Sequence, residues 1–167
     1  PKGLATSNAA RTTDGIGIFM ERFSNSTREV AQGGRRGALM LSVDCRHPEI
    51  ETFINIKRDL TKVTGANISV RLNNEFMNAV KNDDEYQLQW PVESANPEIT
   101  KIVRATEIWD KIIDSAHKMA EPGIFFWDTV IDNSIPDCYA DLGFKTVSSN
   151  PCGEIVLSAK DSCRLMV

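Results

Sequence analysis

The chain has 167 residues, 41% hydrophobic and 25% charged, with a formal net charge of −4 at pH 7. That length can bury a core as one domain, and the composition is ordinary for a globular protein. The acidic balance argues against non-specific binding to nucleic acid or an anionic membrane, and no apolar run approaches the roughly 20 residues that cross a bilayer. No secretory signal is visible. The first residue is Pro1 rather than Met, and Val167 follows an apolar stretch. Both ends look cut, so residues 1–167 read as one segment of a longer polypeptide.

In chain order, Asp14 to Gln32 reads as a helix with Ile16, Phe19, Phe23 and Val30 on its apolar side, Asp14 as N-cap and Gly33-Gly34 as its end. Residues 38–43 are a short buried-strand candidate. Pro48 opens a helix carrying Ile50, Phe53, Ile54 and Ile56, with Glu49 and Glu51 in its first turn. Residues 66–72 alternate with period two, a strand signal. Asn73 or Asn74 caps a short helix through Phe76, Met77 and Val80. Tyr86 to Trp90 is a strand candidate in an antiparallel excursion. A long helix is expected from about Pro97 to Met119, with Ile108, Trp109, Ile112, Ile113 and Ala116 as its apolar face. Gly123 to Trp127 reads as a buried strand, Asp128 as the cap of a short helix, residues 134–143 as loop, and residues 145–148 as a last strand. Strands separated by helices point to an α/β fold with a largely parallel sheet. Alternation alone does not separate a barrel from a doubly wound sheet.

The last strand feeds Ser149-Asn150-Pro151-Cys152-Gly153-Glu154. On an extended backbone alternate side chains leave on one side, so Asn150, Cys152 and Glu154 would converge. Pro151 biases Asn150 toward an extended conformation, and Gly153 lets something large approach the backbone. A carboxylate raises a thiol pKa and disfavours the thiolate. The pair suits a thiol working as neutral S–H or as a sulfur radical, with Glu154 as general base.

Other groups carry weaker signals. Gln32, Gly33, Gly34, Arg35, Arg36 and Gly37 read either as a helix end with a solvated basic turn or as a ligand loop. In the second case glycine amides face the ligand and arginines pair with phosphate or stack on a base. Cys45, Cys138, Cys152 and Cys163 form no CxxC pair, which argues against zinc and against a secreted disulfide scaffold. Cys45 and Cys138 read as structural. Cys163 is either a buried residue near Leu165 or a functional thiol. His47 reads as a turn or cap residue and His117 as helix surface or packing. Residues 125–127 read as core, and Asp44, Asp83, Asp84 and Asp128 as solvated turns and caps.

Asn-Pro-Cys-Gly-Glu followed by a downstream cysteine resembles the catalytic loop of ribonucleotide reductase, in its adenosylcobalamin-dependent class II type. The Gln32–Gly37 run resembles that family's second substrate-specificity loop. The stretches at 47–54, 67–70, 75–77 and 121–123 fall in the family's order, so the likeness covers essentially the whole chain. It implies a piece of a ten-stranded α/β barrel with the catalytic Cys on a central finger loop, and hence open sheet edges in this segment.

The resemblance also implies roles. A thiyl radical on Cys152 takes the ribose 3′ hydrogen, Glu154 accepts the 3′-hydroxyl proton, and Asn150 orients the ribose. Ser149 joins the Gln32–Gly37 loop in substrate binding. Cys163 is one of two thiols that supply reducing equivalents. Its partner in the family lies before the substrate loops, hence before Pro1, and Cys45 does not match that position. Adenosylcobalamin supplies the radical, and an external dithiol such as thioredoxin restores the thiols. A ribonucleotide substrate, a nucleotide effector, a homo-oligomer and a cytoplasmic location complete the expectation. Class I chemistry with a separate radical subunit is an alternative. So is a cysteine hydrolase using His47 or His117, though neither sits in a known nucleophile–base signature, and so is an inactive nucleotide-binding or structural fragment.

Overall fold

The computed structural model describes residues 1–7 and 9–164. Helix α1 (Ile16–Glu29) starts one residue later than expected, after Gly15 with φ 91°. Its cap comes from elsewhere in the chain rather than from Asp14. The Glu49 carboxylate accepts from Ile16 N (3.3 Å) and sits where a Cβ on Gly15 would lie, so glycine is required there. The helix buries Met20 and Ser24 and leaves Phe19 and Phe23 more than half exposed, as is Val30 just beyond its end, against the expected apolar stripe. The reason is a close backbone approach. Gly65 N donates to Ser24 Oγ (2.8 Å), and a Cβ on Gly65 would lie 2.5 Å from Ser24 O.

The glycine pair does not end this helix, which stops at Glu29. Strands β1 (Ala31–Gln32) and β2 (Arg35–Arg36) pair antiparallel around Gly33 and Gly34, with φ 56° and 85°. Two positive-φ residues are the requirement of a two-residue hairpin turn.

Strand β3 (Met40–Asp44), helix α2 (Ile50–Asn55), a 3₁₀ turn (Ile56–Arg58) and strand β4 (Asn67–Leu72) follow, and β3 and β4 are parallel in the register Met40↔Asn67 to Asp44↔Arg71. Helix α3 (Asn74–Asn82) is capped by Asn73, whose Oδ1 accepts from Phe76 N (2.7 Å). Strands β5 (Glu85–Trp90) and β6 (Ile99–Arg104) form an antiparallel ribbon before helix α4 (Ala105–Met119). The expected helix from Pro97 was too long. Ile99, Thr100, Ile102 and Val103 are β-branched and pair as strand. Ile113 on α4 is exposed rather than part of its packed face.

Strand β7 (Gly123–Phe126) joins β4 in parallel, giving the order β3-β4-β7. Helix α5 (Trp127–Asn133), a 3₁₀ segment (Asp137–Leu142) and the antiparallel strands β8 (Thr146–Ser149) and β9 (Val156–Ser158) complete the described residues. The class is thus mixed α/β, with a three-stranded parallel sheet and three antiparallel pairs among the described residues. No helix among them is long and apolar enough to cross a membrane.

The core lies on one face of the parallel sheet. Val43, Ile68, Val70 and Leu72 are buried there with Ile50, Phe53 and Ile54 of α2, Phe76 of α3, and Ile108 and Ile112 of α4. Ile124 and Phe126 belong to this face by register but are 37% and 48% exposed, because β7 is the sheet edge. Residues 125–127 are therefore not the buried run expected. The opposite face carries Ser42, Asp44, Ser69, Arg71 and Phe125. Asp44 is buried, not a solvated turn, and is gripped by Arg46 through its backbone N–H and its guanidinium. Arg71 lies over the Trp127 ring (4.8 Å) with its Nε buried and unpaired among the described residues. Asp128 does not cap its own helix but accepts from Asn74 N (2.7 Å) at the start of α3.

His47 is the cap expected: its Nδ1 accepts from Glu49 N (3.0 Å) at the head of α2. Burial holds its imidazole below the ordinary value, against Glu49 and Asp44. The fold then resists a proton that the unfolded chain takes up. Its contribution is complete above about pH 6.5 and is lost as pH falls below that value. The urea midpoint will drop between pH 7.5 and pH 5.5, and the drop will be smaller in His47→Asn, which keeps an acceptor without the titration. An equal drop in both proteins would contradict the capping role.

Candidate active site

The Cys152 motif is the loop of the β8–β9 hairpin, and β9 was not foreseen. The loop is closed by one amide side chain. Asn150 N donates to Ile155 O (2.9 Å), while Asn150 Oδ1 accepts from Gly153 N (3.1 Å) and Ile155 N (3.0 Å). An asparagine bonding two residues or more ahead in this way is a local turn-former. The backbone is therefore a turn rather than the extended run expected, and Asn150 is buried (3% exposed) while Cys152 and Glu154 are exposed. The three groups do not converge as equals. The amide lies inside the turn, and the thiol and carboxylate stand at the surface of its tip.

Cys163 returns to this loop. Asn150 Nδ2 lies 3.4 Å from Cys163 Sγ, within donating distance of a sulfur acceptor. One side chain thus braces the Cys152 turn and touches the second thiol. Leu165 lies outside the described residues. Ser149, half-buried at the end of β8, donates from Oγ to Asn150 O (3.0 Å).

The hairpin tip packs on the sheet face opposite the helical core. A Cβ on Gly153, at φ 87°, would lie 3.4 Å from Phe125 Cζ and 3.9 Å from Met40 Cε. The large group that Gly153 admits is therefore the Phe125 ring. Asn67 Nδ2 donates to Pro151 O (2.8 Å), a tie across 84 residues.

The Gln32–Gly37 run is the β1–β2 hairpin. Gly33 and Gly34 face open space, where an added Cβ would meet no atom within 4 Å, and Arg35 and Arg36 are exposed. Gly37 has a packing reason: its N–H donates to Val30 O (3.1 Å), and a Cβ would lie 2.5 Å from Thr27 O. An open hollow of about 530 Å³ lies between this hairpin and α1, lined by Phe23, Thr27, Val30, Arg35, Arg36 and Leu39 among others.

The two other cysteines are apart from this chemistry. Cys45 is fully buried, 3.4 Å from the Tyr86 hydroxyl, and burial followed by Asp44 pushes its thiol up to about 11. Cys138 is exposed on the 3₁₀ segment and donates to Ile135 O (2.9 Å). His117 is exposed on α4. Sequence reasoning gave Asn67 no role, reading it only within a strand and within a stretch that carries the resemblance. It also missed β9, for which the aliphatic run 155–157 was an available signal.

Fold and site define a mixed α/β protein that presents a thiol and a carboxylate on a hairpin tip. Residues 1–166 match the ribonucleotide reductase barrel domain, and the chain belongs to that family. It is 36% identical over 167 residues to a vitamin B12-dependent ribonucleoside-diphosphate reductase of Thermoplasma acidophilum, covering 99% of this chain and 21% of that protein. The same named activity in Mycobacterium tuberculosis (strain H37Rv) is 31% identical, at 99% and 23% coverage. A vitamin B12-dependent ribonucleotide reductase of Streptomyces clavuligerus is 32% identical, at 88% and 17%. The chain thus spans about a fifth of the length of these relatives.

Replacing Asn150 by Ala strips the acceptor from two loop amides. The hairpin should lose about 2 kcal/mol, the cost of leaving such donors unmade. Hydrogen exchange should accelerate at Gly153 and Ile155 while the β4 amides keep their protection. Unchanged exchange at both loop amides would contradict the closure described.

Proposed function

We propose that this segment carries the radical-bearing thiol of a class II ribonucleotide reductase, which converts ribonucleoside di- or triphosphates to 2′-deoxyribonucleotides. The observation that carries the reading is the Asn150 side chain, which shapes the Cys152 turn and meets the Cys163 thiol. One thiol for hydrogen transfer and another for reduction are thereby kept within one loop. The B12-dependent names of the relatives favour class II over class I.

The parallel sheet is then part of a ten-stranded α/β barrel, and the β8–β9 hairpin is its central finger. Packing of the tip on the face away from the helices supports this. Adenosylcobalamin, when bound, supplies the first hydrogen-atom acceptor. The exposed Cys152 Sγ is the atom of this chain that suits it, a free thiol reachable at a loop tip.

The steps that follow belong to the protein. Cys152 as a thiyl radical takes the hydrogen atom from ribose C3′, forming S–H as C3′–H breaks. Glu154 takes the 3′-hydroxyl proton. The 2′-hydroxyl receives a thiol proton and leaves as water. Cys163 and a second thiol elsewhere in the full-length chain give two electrons and become a disulfide, one of their hydrogens leaving in the water and the other forming the new C2′–H bond. Glu154 then returns its proton to the 3′-oxygen, and Cys152 returns its hydrogen atom to C3′, which regenerates the thiyl radical. Asn150 orients the ribose through the turn it closes, by setting where Cys152 and Glu154 stand. Ser149 and the Gln32–Gly37 hairpin hold the nucleotide, with Arg35 and Arg36 facing its base or phosphates. A nucleotide effector acts on the same hairpin, and a thioredoxin-like dithiol restores the thiols in the cytoplasm. The exposed Ile18, Phe19 and Phe23 of α1, with Val30 just after it, support self-association of the full chain.

Deoxyribonucleotide formation by the intact parent chain tests this reading, with ribonucleotide, dithiol and adenosylcobalamin supplied. Product should require both the cobalamin and Cys152, and Cys152→Ala should abolish it. Cys163→Ser should permit about one radical event per chain but no sustained thiol-driven turnover with thioredoxin. Product only with an added metal-radical subunit would overturn class II. Product from Cys152→Ala would overturn the thiol's role.

A further inference from the structure

We propose that Asn67 is a positioning residue that fixes the Cys152 turn and the Gln32–Gly37 hairpin relative to each other. The inference rests on the reading of Cys152 as the reacting thiol. Asn67 opens β4, and its two N–H groups of interest point to two different loops. Its backbone N–H donates to Leu39 O (2.8 Å), two residues after Gly37. Its side-chain Nδ2 donates to Pro151 O (2.8 Å), the carbonyl immediately before Cys152. A peptide unit is planar, so holding the Pro151 carbonyl also sets the direction of the Cys152 amide.

The residue is braced on both sides. Lys57 Nζ donates to Ala66 O (2.6 Å), the Glu121 carboxylate accepts from Ile68 N (2.9 Å), and Lys57 and Glu121 form an ion pair with each other. Residues 66–68 are thus tied through three successive backbone positions, leaving the Asn67 side chain as a short arm on a fixed base. Gly153 of the turn also lies against Phe125 and Met40 of the sheet. That contact is apolar and sets a distance without setting an angle. The Asn67 bond is directional and supplies the angle. A misplacement of about 1 Å at a reacting centre costs on the order of 100-fold in rate, so a single directional tie has leverage on kcat.

The test uses the intact parent chain with Asn67→Asp, which keeps the shape and removes the donor, and Asn67→Gln, which keeps a donor on a longer arm. Two readouts are taken: steady-state reduction, and carboxamidomethylation rates resolved by peptide for Cys152 and Cys138. Asn67→Asp should lower kcat at least about tenfold with KM within about twofold. It should raise Cys152 labelling about fivefold, the factor of one lost hydrogen bond, and leave Cys138 unchanged. Asn67→Gln should recover part of both effects. Wild-type Cys152 labelling in Asn67→Asp would overturn the proposal, as would equal acceleration at Cys138, which reports general loosening. The labelling contrast decides the tie even if the parent chain reduces no ribonucleotide. Reduction by the parent with no contrast would sink the tie and leave the function standing.

Discussion

The two faces of the β3-β4-β7 sheet differ, and the rest of the molecule follows from that difference. Along β4, Ile68, Val70 and Leu72 alternate with Ser69 and Arg71. Parallel register brings Val43 onto the first set and Ser42 and Asp44 onto the second. Helices α2, α3 and α4 must cover the apolar set, since roughly 25 cal/mol per Å² of apolar area is gained there. The polar set, with Met40 and Phe125 at its margin, is where the Cys152 turn docks.

Both candidate loops meet this sheet at the N-terminal ends of its strands. The Gln32–Gly37 hairpin leads into β3, and the Cys152 turn is tied to the first residue of β4. Eight-stranded α/β barrels build their sites at the other end, from the loops that follow the strands. A thiol delivered by a separate hairpin needs no loop at a strand's C-terminal end. In the proposed function, docking the hairpin on the sheet is what places the thiol. Asn150 makes this workable by satisfying the turn's amides from within, so that Cys152 and Glu154 are free to face outward.

The sequence made some of this legible, for physical reasons that differ by element. Period-two alternation located β4, and Asn73 announced α3, because both signals are local. The β6 strand was hidden by reading 97–119 as one amphipathic helix, although Ile99 to Val103 is β-branched enough to pair with β5. The Gly33-Gly34 pair fits a helix end and a hairpin turn equally well from composition, and only the pairing of Gln32 with Arg35 decides. Phe19 and Phe23 pointed to a buried stripe that Gly65 displaced by bringing backbone against Ser24. At the site, the motif pointed to Cys152 and Glu154 and the resemblance to Cys163; the structure puts the first two on the loop tip and Cys163 beside Asn150. The fold of Asn150 into the turn depends on β9, and the Asn67 tie spans the sheet, so neither has a local signature.

The most direct test of the central claim is a crystal structure of the intact parent chain with a ribonucleotide bound. The account predicts the ribose C3′ about 3–3.5 Å from Cys152 Sγ, its 3′-hydroxyl on the Glu154 carboxylate, and its base or phosphates against the Gln32–Gly37 hairpin. A nucleotide held away from the hairpin tip, at the Arg71 end of the sheet for example, would contradict it.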